Sequence, residues 1–234
     1  MARAWAVVPA AGSGRRMGAA IAKQYLPLRG RPLLAHALAP LLATPRIEAV
    51  VLVVAPDDDR WHEVVPEGAR LLTATGGAER CHSVLNGLAQ LEGRAAAEDW
   101  VLVHDAARPC LAHGELEALF RELADDPVGG LLAVPLADTL KAADERHRVA
   151  RTVPREGLWR ALTPQMFRFG LLRAALRDAV TAGVLVTDEA AAMEHAGHRP
   201  ALVAGRAANI KVTGPEDLAL AEAVLRGREE RQCV

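Results

Sequence analysis

Three groups of residues in this chain have types and spacings suited to handling phosphate. The first is Pro9-Ala10-Ala11-Gly12-Ser13-Gly14-Arg15-Arg16-Met17-Gly18. A glycine-rich turn after a short apolar run exposes backbone N–H groups, and these can wrap phosphate oxygens. The glycines at 12, 14 and 18 fit neither G-x-x-x-x-G-K-[ST] nor the dinucleotide pattern G-x-G-x-x-G. What remains is a loop carrying Arg15 and Arg16, with Lys23 just beyond it. The alternative is a tight turn with two solvated arginines.

The second group is His104-Asp105-Ala106-Ala107-Arg108-Pro109, which follows the apolar run Trp100-Val-Leu-Val103. An aspartate beside a polyphosphate is repulsive unless a divalent cation lies between them, so Asp105 implies Mg²⁺ shared with phosphate oxygens and water. Arg108 offers a planar fork to a second anion. The opposing reading is that Asp105 caps the next turn and Arg108 pairs with it. The third group is Thr75-Gly76-Gly77-Ala78-Glu79-Arg80-Cys81-His82-Ser83, where a double glycine lets a planar ring lie on the backbone and Ser83 offers a hydroxyl. Taken alone it is a loop and a helix start. Lysine use sharpens the pattern. Of 28 basic residues only Lys23, Lys141 and Lys211 are lysines, and an ammonium is not interchangeable with a guanidinium at a phosphate. Lys141 falls in a polar stretch where it reads as surface.

These groups need a scaffold, and the sequence supplies its rhythm. Runs at Ala4–Pro9, Ala49–Ala55, Trp100–His104 and Gly130–Val134 are continuous in Val and Leu, as strands buried on both faces are. Helical spacing spans Pro32–Leu42, Cys81–Leu91 and Glu115–Leu123. Strand followed by helix, repeated, predicts an α/β fold: a mostly parallel sheet with right-handed crossovers and helices on both faces. Ligands of such sheets bind beyond the carboxyl ends of the strands, where all three groups fall.

One stretch breaks the rhythm. Residues 137–157 pair two short strand patterns, Thr139–Ala142 and Val149–Val153, around a charged Asp144-Glu145-Arg146 tip. The stretch is too polar for a core and predicts a protruding β-hairpin arm on an otherwise single domain, 1–234. Beyond it come helices over Phe169–Thr181 and from Asp188, strand-like Pro200–Ala204 and Asn209–Val212, and a last helix. Thr213-Gly-Pro-Glu216 reads as the capping box of that helix, with Pro in the first turn.

Composition excludes several classes. At 234 residues, 51% hydrophobic and 24% charged, the chain is no disordered segment. A net charge of −1 and 3% aromatics argue against nucleic-acid binding. Cys81, Cys110 and Cys233 form no C-x-x-C pair, so neither a disulfide scaffold nor a zinc knuckle is expected. His104, Cys110 and His113 match no familiar metal spacing. No apolar run approaches the ~20 residues of a membrane span, and Met1 leads straight into a strand pattern without a cleavable apolar region. The expectation is a soluble cytoplasmic protein that binds no membrane.

Together these motifs resemble the 2-C-methyl-D-erythritol 4-phosphate cytidylyltransferase family of the non-mevalonate isoprenoid pathway. The resemblance runs from Val8 to about Leu225. It rests on the glycine loop, Lys23-Gln-Tyr25, Gly76-Gly77…Arg80…Ser83-Val84, Asp138-Thr139, Arg155-x-Gly157-Leu-Trp159, Leu162-Thr-Pro-Gln165, Thr187-Asp-Glu189, Asn209-Ile-Lys-Val-Thr213 and, above all, His104-Asp-Ala-Ala-Arg-Pro109. It implies a Rossmann-like nucleotidyltransferase sheet, CTP and methylerythritol phosphate as substrates, Mg²⁺ or another divalent cation, and a homodimer through exchanged arms. Arg16 and Lys23 match residues that stabilise charge on the transferring phosphate. Ala10, Ala11, Gly12, Gly14, Gly77 and Ser83, with Asp105, match the nucleotide site. Asp105, Arg108, Thr139, Thr163 and Thr187 match contacts to the acceptor, and Arg155 and Lys211 match residues that hold its phosphate. The exchanged arm would send Thr139 and Arg155 into the partner's site.

Two positions depart from the family pattern: Ala78, where some relatives carry aspartate, and Ala22, where proline is common. Rival readings are a ribitol- or glycerol-phosphate cytidylyltransferase of similar build, a nucleotide-sugar pyrophosphorylase, and a catalytically silent nucleotide-binding module.

Overall fold

Strand β1 (Ala4–Pro9) is buried along nearly its whole length because helices cover both of its faces. Its pleat sends Ala4, Ala6 and Val8 into one apolar layer and Trp5 and Val7 into the other. A continuous apolar run is therefore what this position demands, and alternation would leave a polar side chain in a core. The computed structural model describes residues 2–12, 21–66 and 68–232.

In chain order, a single 3₁₀ turn (Lys23–Tyr25) leads to the short pair β2 (Pro27–Leu28) and β3 (Arg31–Pro32), then helix α1 (Leu33–Leu42). Next come β4 (Ile47–Val54), β5 (Leu71–Thr75), α2 (Arg80–Ala89), β6 (Trp100–Val103), α3 (His113–Glu122) and β7 (Gly129–Pro135). The hairpin β8 (Leu140–Ala143) and β9 (Val149–Val153) precedes the long β10 (Trp159–Arg168). Helices α4 (Phe169–Thr181) and α5 (Glu189–His195), β11 (Ala201–Ala204) and α6 (Pro215–Gln232) complete the described chain.

The main sheet has the order β11-β7-β10-β6-β1-β4-β5. Every pairing is parallel except those of β10, which runs antiparallel to both β6 and β7. The expected mostly parallel sheet is thus present. Helices α1 and α3 cover one face through Leu34, Leu38, Leu41, Leu116 and Phe120. The other face is covered by α2, α4 and α5 through Val84, Leu88, Leu172, Leu176 and Met193. Fully buried side chains such as Leu102 and Phe167 each contribute on the order of 2 kcal/mol by leaving water. Helix α2 sits unusually close to the sheet: a Cβ at Gly87 would lie 2.6 Å from Val7 Cγ1.

Two expectations need correction, and one strand was not anticipated. Residues 209–212 form no strand; Val212 N–H instead donates to Ala107 O, and Asn209 is buried. The cap of α6 is closed by Asp217 rather than Glu216, because Asp217 Oδ2 accepts from the Thr213 and Gly214 N–H groups and from the Thr213 hydroxyl. Strand β10 is absent from the sequence reading. Between Ala161 and Gln165 its register against β7 slips, so Leu162, Thr163 and Pro164 form a bulge. A bulge re-aims side chains and tolerates a proline that a regular ladder would not.

The hairpin arm is present. Strands β8 and β9 pair only with each other, and the tip is closed by Asp144, whose Oδ1 accepts from Arg146 N–H at 2.9 Å and Arg148 N–H at 2.8 Å. No helix among the described residues is long and apolar enough to cross a membrane.

Candidate active site

The chain places β4 and β5 on one side of β1 and then crosses to β6 on the other. Loops leaving β1 and β6 consequently diverge, and a crevice opens beyond their carboxyl ends. It is a cleft of about 580 Å³ lined by Pro9–Gly12, Lys23, Gln24, Gly77–Arg80, Ser83, Asp105–Ala107, Lys211 and Thr213. All three sequence groups meet here. Of the expected site residues, Ala10, Ala11, Gly12, Lys23, Gly77, Ser83, Asp105 and Lys211 line this one cleft. Gly14 and Arg16 lie outside the described residues.

The first loop is held from both sides. Ala10 N–H donates to Val53 O at 2.7 Å, which fixes the exit from β1. The buried Gln24 side chain donates to Ala10 O at 2.8 Å and so ties the 3₁₀ turn bearing Lys23 to that exit. Tyr25, next in the turn, donates its hydroxyl to Asp58 at 2.8 Å. Burial, then the Asp58 carboxylate, raise the Tyr25 pKa, so the phenol stays protonated. Lys23 also faces the start of α6. The Asp217 carboxyl is held below its usual value first by the Thr213 hydroxyl, and Lys23 adds to the effect.

The double glycine packs tightly on the first loop. A Cβ at Gly76 would collide with Ala11 Cβ, so no larger residue fits there. Ser83 is buried, and its hydroxyl donates to Glu79 O at 3.2 Å while accepting from Gly77 N–H at 3.0 Å. A hydroxyl has one donor and two acceptor sites, so Ser83 keeps one acceptor position for anything in the cleft.

Asp105 is the centre of the charge. Its Oδ1 accepts from Arg80 Nε at 3.2 Å and Nη2 at 3.1 Å. Its Oδ2 lies 2.9 Å from Lys211 Nζ and 3.6 Å from Arg108 Nε. Burial alone would raise this carboxyl, but Arg80, Lys211 and Arg108 outweigh it and hold the group well below the usual carboxylate range. Asp105 is therefore anionic at any working pH. Arg80 continues the network: Nη1 donates to Glu189 Oε1 at 2.6 Å and Nη2 to Oε2 at 3.2 Å. Burial pulls the Arg80 guanidinium down, and Glu189 with Asp105 more than reverse this. Arg80 and Glu189 stand inside the motifs Gly76-Gly77…Arg80…Ser83-Val84 and Thr187-Asp-Glu189, but neither motif by itself shows a role for them.

Behind Asp105 lies a closed hydrogen-bond chain. His104 is fully buried. Its Nε2 is 3.1 Å from Arg108 O and its Nδ1 is 2.9 Å from Thr163 Oγ1. A carbonyl only accepts, so the proton sits on Nε2 and Nδ1 accepts from the threonine hydroxyl. Thr163 Oγ1 in turn accepts from Asp105 N–H at 3.1 Å. Burial lowers the His104 pKa to about 4, so the imidazole is neutral.

Not every expected contact reaches the cleft. Thr163 is buried behind Asp105. Arg108 is buried too, donating through Nη1 to Asn209 O at 2.7 Å, and it pairs with Asp105 as the opposing reading anticipated. Thr187 is exposed two residues ahead of Glu189. Thr139 and Arg155 are exposed on the arm, where Arg155 Nη1 donates to Ala137 O. Cys110 is buried, and burial pushes its thiol up to about 11, which removes it as a nucleophile. Among the described residues no three His, Cys, Asp or Glu side chains gather as a metal cluster.

The family model for 2-C-methyl-D-erythritol 4-phosphate cytidylyltransferase matches residues 4–227. The chain belongs to this family. It is 57% identical to the 2-C-methyl-D-erythritol 4-phosphate cytidylyltransferase of Dechloromonas aromatica over 232 residues, covering 98% of this chain and 100% of that one. The corresponding protein of Azoarcus sp. is 55% identical and covers 97% of this chain and 95% of its own length. Among solved structures, 2-C-methyl-D-erythritol 4-phosphate cytidylyltransferase from Francisella tularensis superposes with a TM-score of 0.83 at 31% identity, covering 95% of this chain and all of its own. A family member is thus a nucleotidyltransferase.

Proposed function

We propose that this protein transfers CMP from CTP to 2-C-methyl-D-erythritol 4-phosphate, giving 4-diphosphocytidyl-2-C-methyl-D-erythritol and pyrophosphate. The observation that carries the reading is the common cleft: Lys23, Arg80, Asp105 and Lys211 line it together beyond the carboxyl ends of β1 and β6, in a chain matched by the family model over residues 4–227.

The chemistry follows from charge. An oxygen of the acceptor phosphate attacks the α-phosphorus in line, and the bond from that phosphorus to the bridging oxygen breaks. The electron pair leaves with pyrophosphate. A phosphate monoester is already a mono- or dianion near neutrality, so no general base is needed. The obstacle is bringing two polyanions together while charge accumulates at one phosphorus. Fixed cations answer it by positioning and electrostatic stabilisation. In this reading the Ala10–Gly12 backbone, Gly14, Gly77 and Ser83 hold the nucleotide. Lys23 and, as the family resemblance implies, Arg16 stabilise charge on the transferring phosphate, and Lys211 holds the acceptor's phosphate against it. Asp105, Thr187 and, from behind, Arg108 and Thr163 shape the acceptor side.

A divalent cation fits this donor set in a restricted way. Asp105 is permanently anionic and lines the cleft, but both of its oxygens already face cations. Such a site suits Mg²⁺, which keeps its waters and takes most of its ligands from substrate phosphates. Asp105 would hold it through water, and the ion would neutralise triphosphate charge.

The arm supports a homodimer. Val149 is 65% exposed and Trp159 at its base 38%, and Thr139 and Arg155 are exposed and line no part of their own chain's cleft. In this reading they complete the partner's site, as the family resemblance implies. In this reading the protein works in the cytoplasm on two soluble polyanions.

The deciding experiment crosses each nucleoside triphosphate with methylerythritol, ribitol and glycerol phosphates and measures pyrophosphate release. Turnover only with CTP and the methylerythritol ester is expected. A preference for ribitol or glycerol phosphate would transfer the protein to its nearest rival activity.

A further inference from the structure

Glu189 does not line the cleft itself, yet its buried carboxylate binds Arg80, which does, and this makes the pairing informative. Glu189 begins α5, is 0% exposed, and binds both ends of its carboxylate to Arg80. Arg80 begins α2 on the nucleotide side and reaches Asp105 through two further donors. An arginine fork has five N–H donors; these two carboxylates take four of them. A buried ion pair is weak evidence for stability, because desolvation offsets most of the attraction. Geometry gives the pair a clearer task.

Asp105 has two oxygens and three cationic neighbours. Arg80 binds only Oδ1, which leaves Oδ2 to Lys211 at 2.9 Å and to Arg108. Without Glu189 the guanidinium would be free to swing its fork across both oxygens of Asp105, the geometry that arginine and carboxylate prefer. Lys211 would then lose its anchor. The start of α5 is in turn fixed to the bulged strand: Gln165 Nε2 donates to Asp188 Oδ2 at 2.9 Å, and Ala190 N–H donates to Gln165 Oε1 at 2.7 Å. Thr187 leads directly into this clamp.

We infer that Glu189 is a positioning residue that acts through Arg80. It holds the guanidinium on one oxygen of Asp105 so that Lys211 keeps the other, and it ties the nucleotide-side helix α2 to the acceptor-side segment ahead of α5. The inference rests on the proposed reaction.

The test compares wild type, Glu189→Gln and the double variant Arg80→Met with Glu189→Met, with kinetics expressed per folded molecule after a thermal melt of each. The double variant guards against misfolding, since well-packed apolar residues replace a buried pair at little cost. Glu189→Gln should lower kcat/KM for methylerythritol phosphate by up to about 100-fold, the scale of a small misplacement, while KM for CTP stays within about threefold. The double variant has no guanidinium left to crowd Lys211 off Asp105, so its acceptor-side loss should be smaller than that of Glu189→Gln. Unchanged acceptor kinetics in folded Glu189→Gln, equal losses for CTP and acceptor, or a loss in the double variant as large as in Glu189→Gln would overturn the inference. A wild-type protein inactive with these substrates would instead refute the reaction and leave the geometry standing.

Discussion

Lys211 Nζ lies 2.9 Å from Asp105 Oδ2, although Asp105 follows β6 and Lys211 stands just ahead of α6. The contact is built from the backbone outward. Val212 N–H donates to Ala107 O, Arg108 donates to Asn209 O, and Glu115 Oε1 receives Arg206 N–H at 2.9 Å. The segment carrying Lys211 is thereby fastened to the loop carrying Asp105 before either side chain is considered. Asp105→Asn keeps the shape and removes the charge. Arg80, Arg108 and Lys211 then face one another without their common anion, which should cost about 3 kcal/mol of stability, the scale of breaking a buried pair. Chemical denaturation of the variant measures that cost. Turnover per folded molecule should fall on the order of 100-fold, as for loss of one group from a preorganised charge site.

Lys23 tests the charge mechanism from the nucleotide side. Lys23→Ala should reduce turnover by about 100- to 1,000-fold, with CTP binding only partly weakened, because backbone N–H groups still hold the nucleotide. Steady-state kinetics with calorimetric CTP titration separates the two effects. Gln24→Ala supplies the matching control. It keeps the ammonium but cuts the bond to Ala10 O, so its turnover should fall by about tenfold, less than for Lys23→Ala, because misplacement is milder than deletion. Near-normal turnover in Lys23→Ala would refute its role.

How far these groups could be read from sequence depends on what each one does. Strand β1 and helix α4 were legible to the residue because their apolar pattern has one interpretation. Strand β10 was not, since Pro164 inside Trp159–Arg168 argues against a central strand, and only the tertiary bulge between Ala161 and Gln165 accommodates it. That same bulge hides Thr163 behind Asp105, where the resemblance implied a substrate contact. Arg80 and Glu189 belong to motifs visible in the sequence, but their partnership spans α2 and α5. Long-range ion pairs leave no periodic trace. Lys23, Asp105 and Lys211 were found from residue type and position, and one cleft unites them. Parallel strands force that result, because their carboxyl ends share an edge.

His104 gives a pH prediction with a definite sign. Its ordinary pKa of 6.5 falls to about 4 in the folded protein because burial disfavours the cation. Between those values the unfolded chain binds the proton and the folded chain does not, so stability declines as pH drops from 6.5 toward 4. The full effect, reached below pH 4, is about 3 kcal/mol. Asp105 shifts in the opposite direction. Its stabilising contribution is complete above the ordinary value near 3.8 and fades only at lower pH, so it does not contribute to the loss between 6.5 and 4. Urea melts across this range should show the wild type losing more stability than His104→Asn. Parallel curves would mean that another group titrates.

Chelation tests Asp105 separately from the lysines. The donor set beside it is too small to retain a metal without nucleotide, so excess EDTA should abolish turnover at once, and added Mg²⁺ should restore it fully. Inductively coupled plasma analysis of the protein without nucleotide should find less than about 0.1 metal per chain, since Mg²⁺ draws most of its ligands from phosphate and water. Full rate in EDTA would remove the reason for giving Asp105 a metal.

The arm offers the strongest test of assembly. If Arg155 serves the partner's cleft, then Arg155→Ala damages the neighbouring site while Lys23→Ala damages its own. In a mixed dimer both lesions fall on one site and the other is intact. Two nearly inactive variants, co-expressed or mixed under conditions that let subunits exchange, should therefore recover about a quarter of wild-type turnover, the statistical share of intact sites in a twofold assembly. Arg155→Ala alone should raise KM for the acceptor more than for CTP, because in the proposed reading Arg155 contacts only the acceptor's phosphate. Absence of recovery, with mixed dimers demonstrated by mass spectrometry, would mean that each chain builds its site alone. Arg155, already bonded to Ala137 O within its own arm, would then be a hairpin staple.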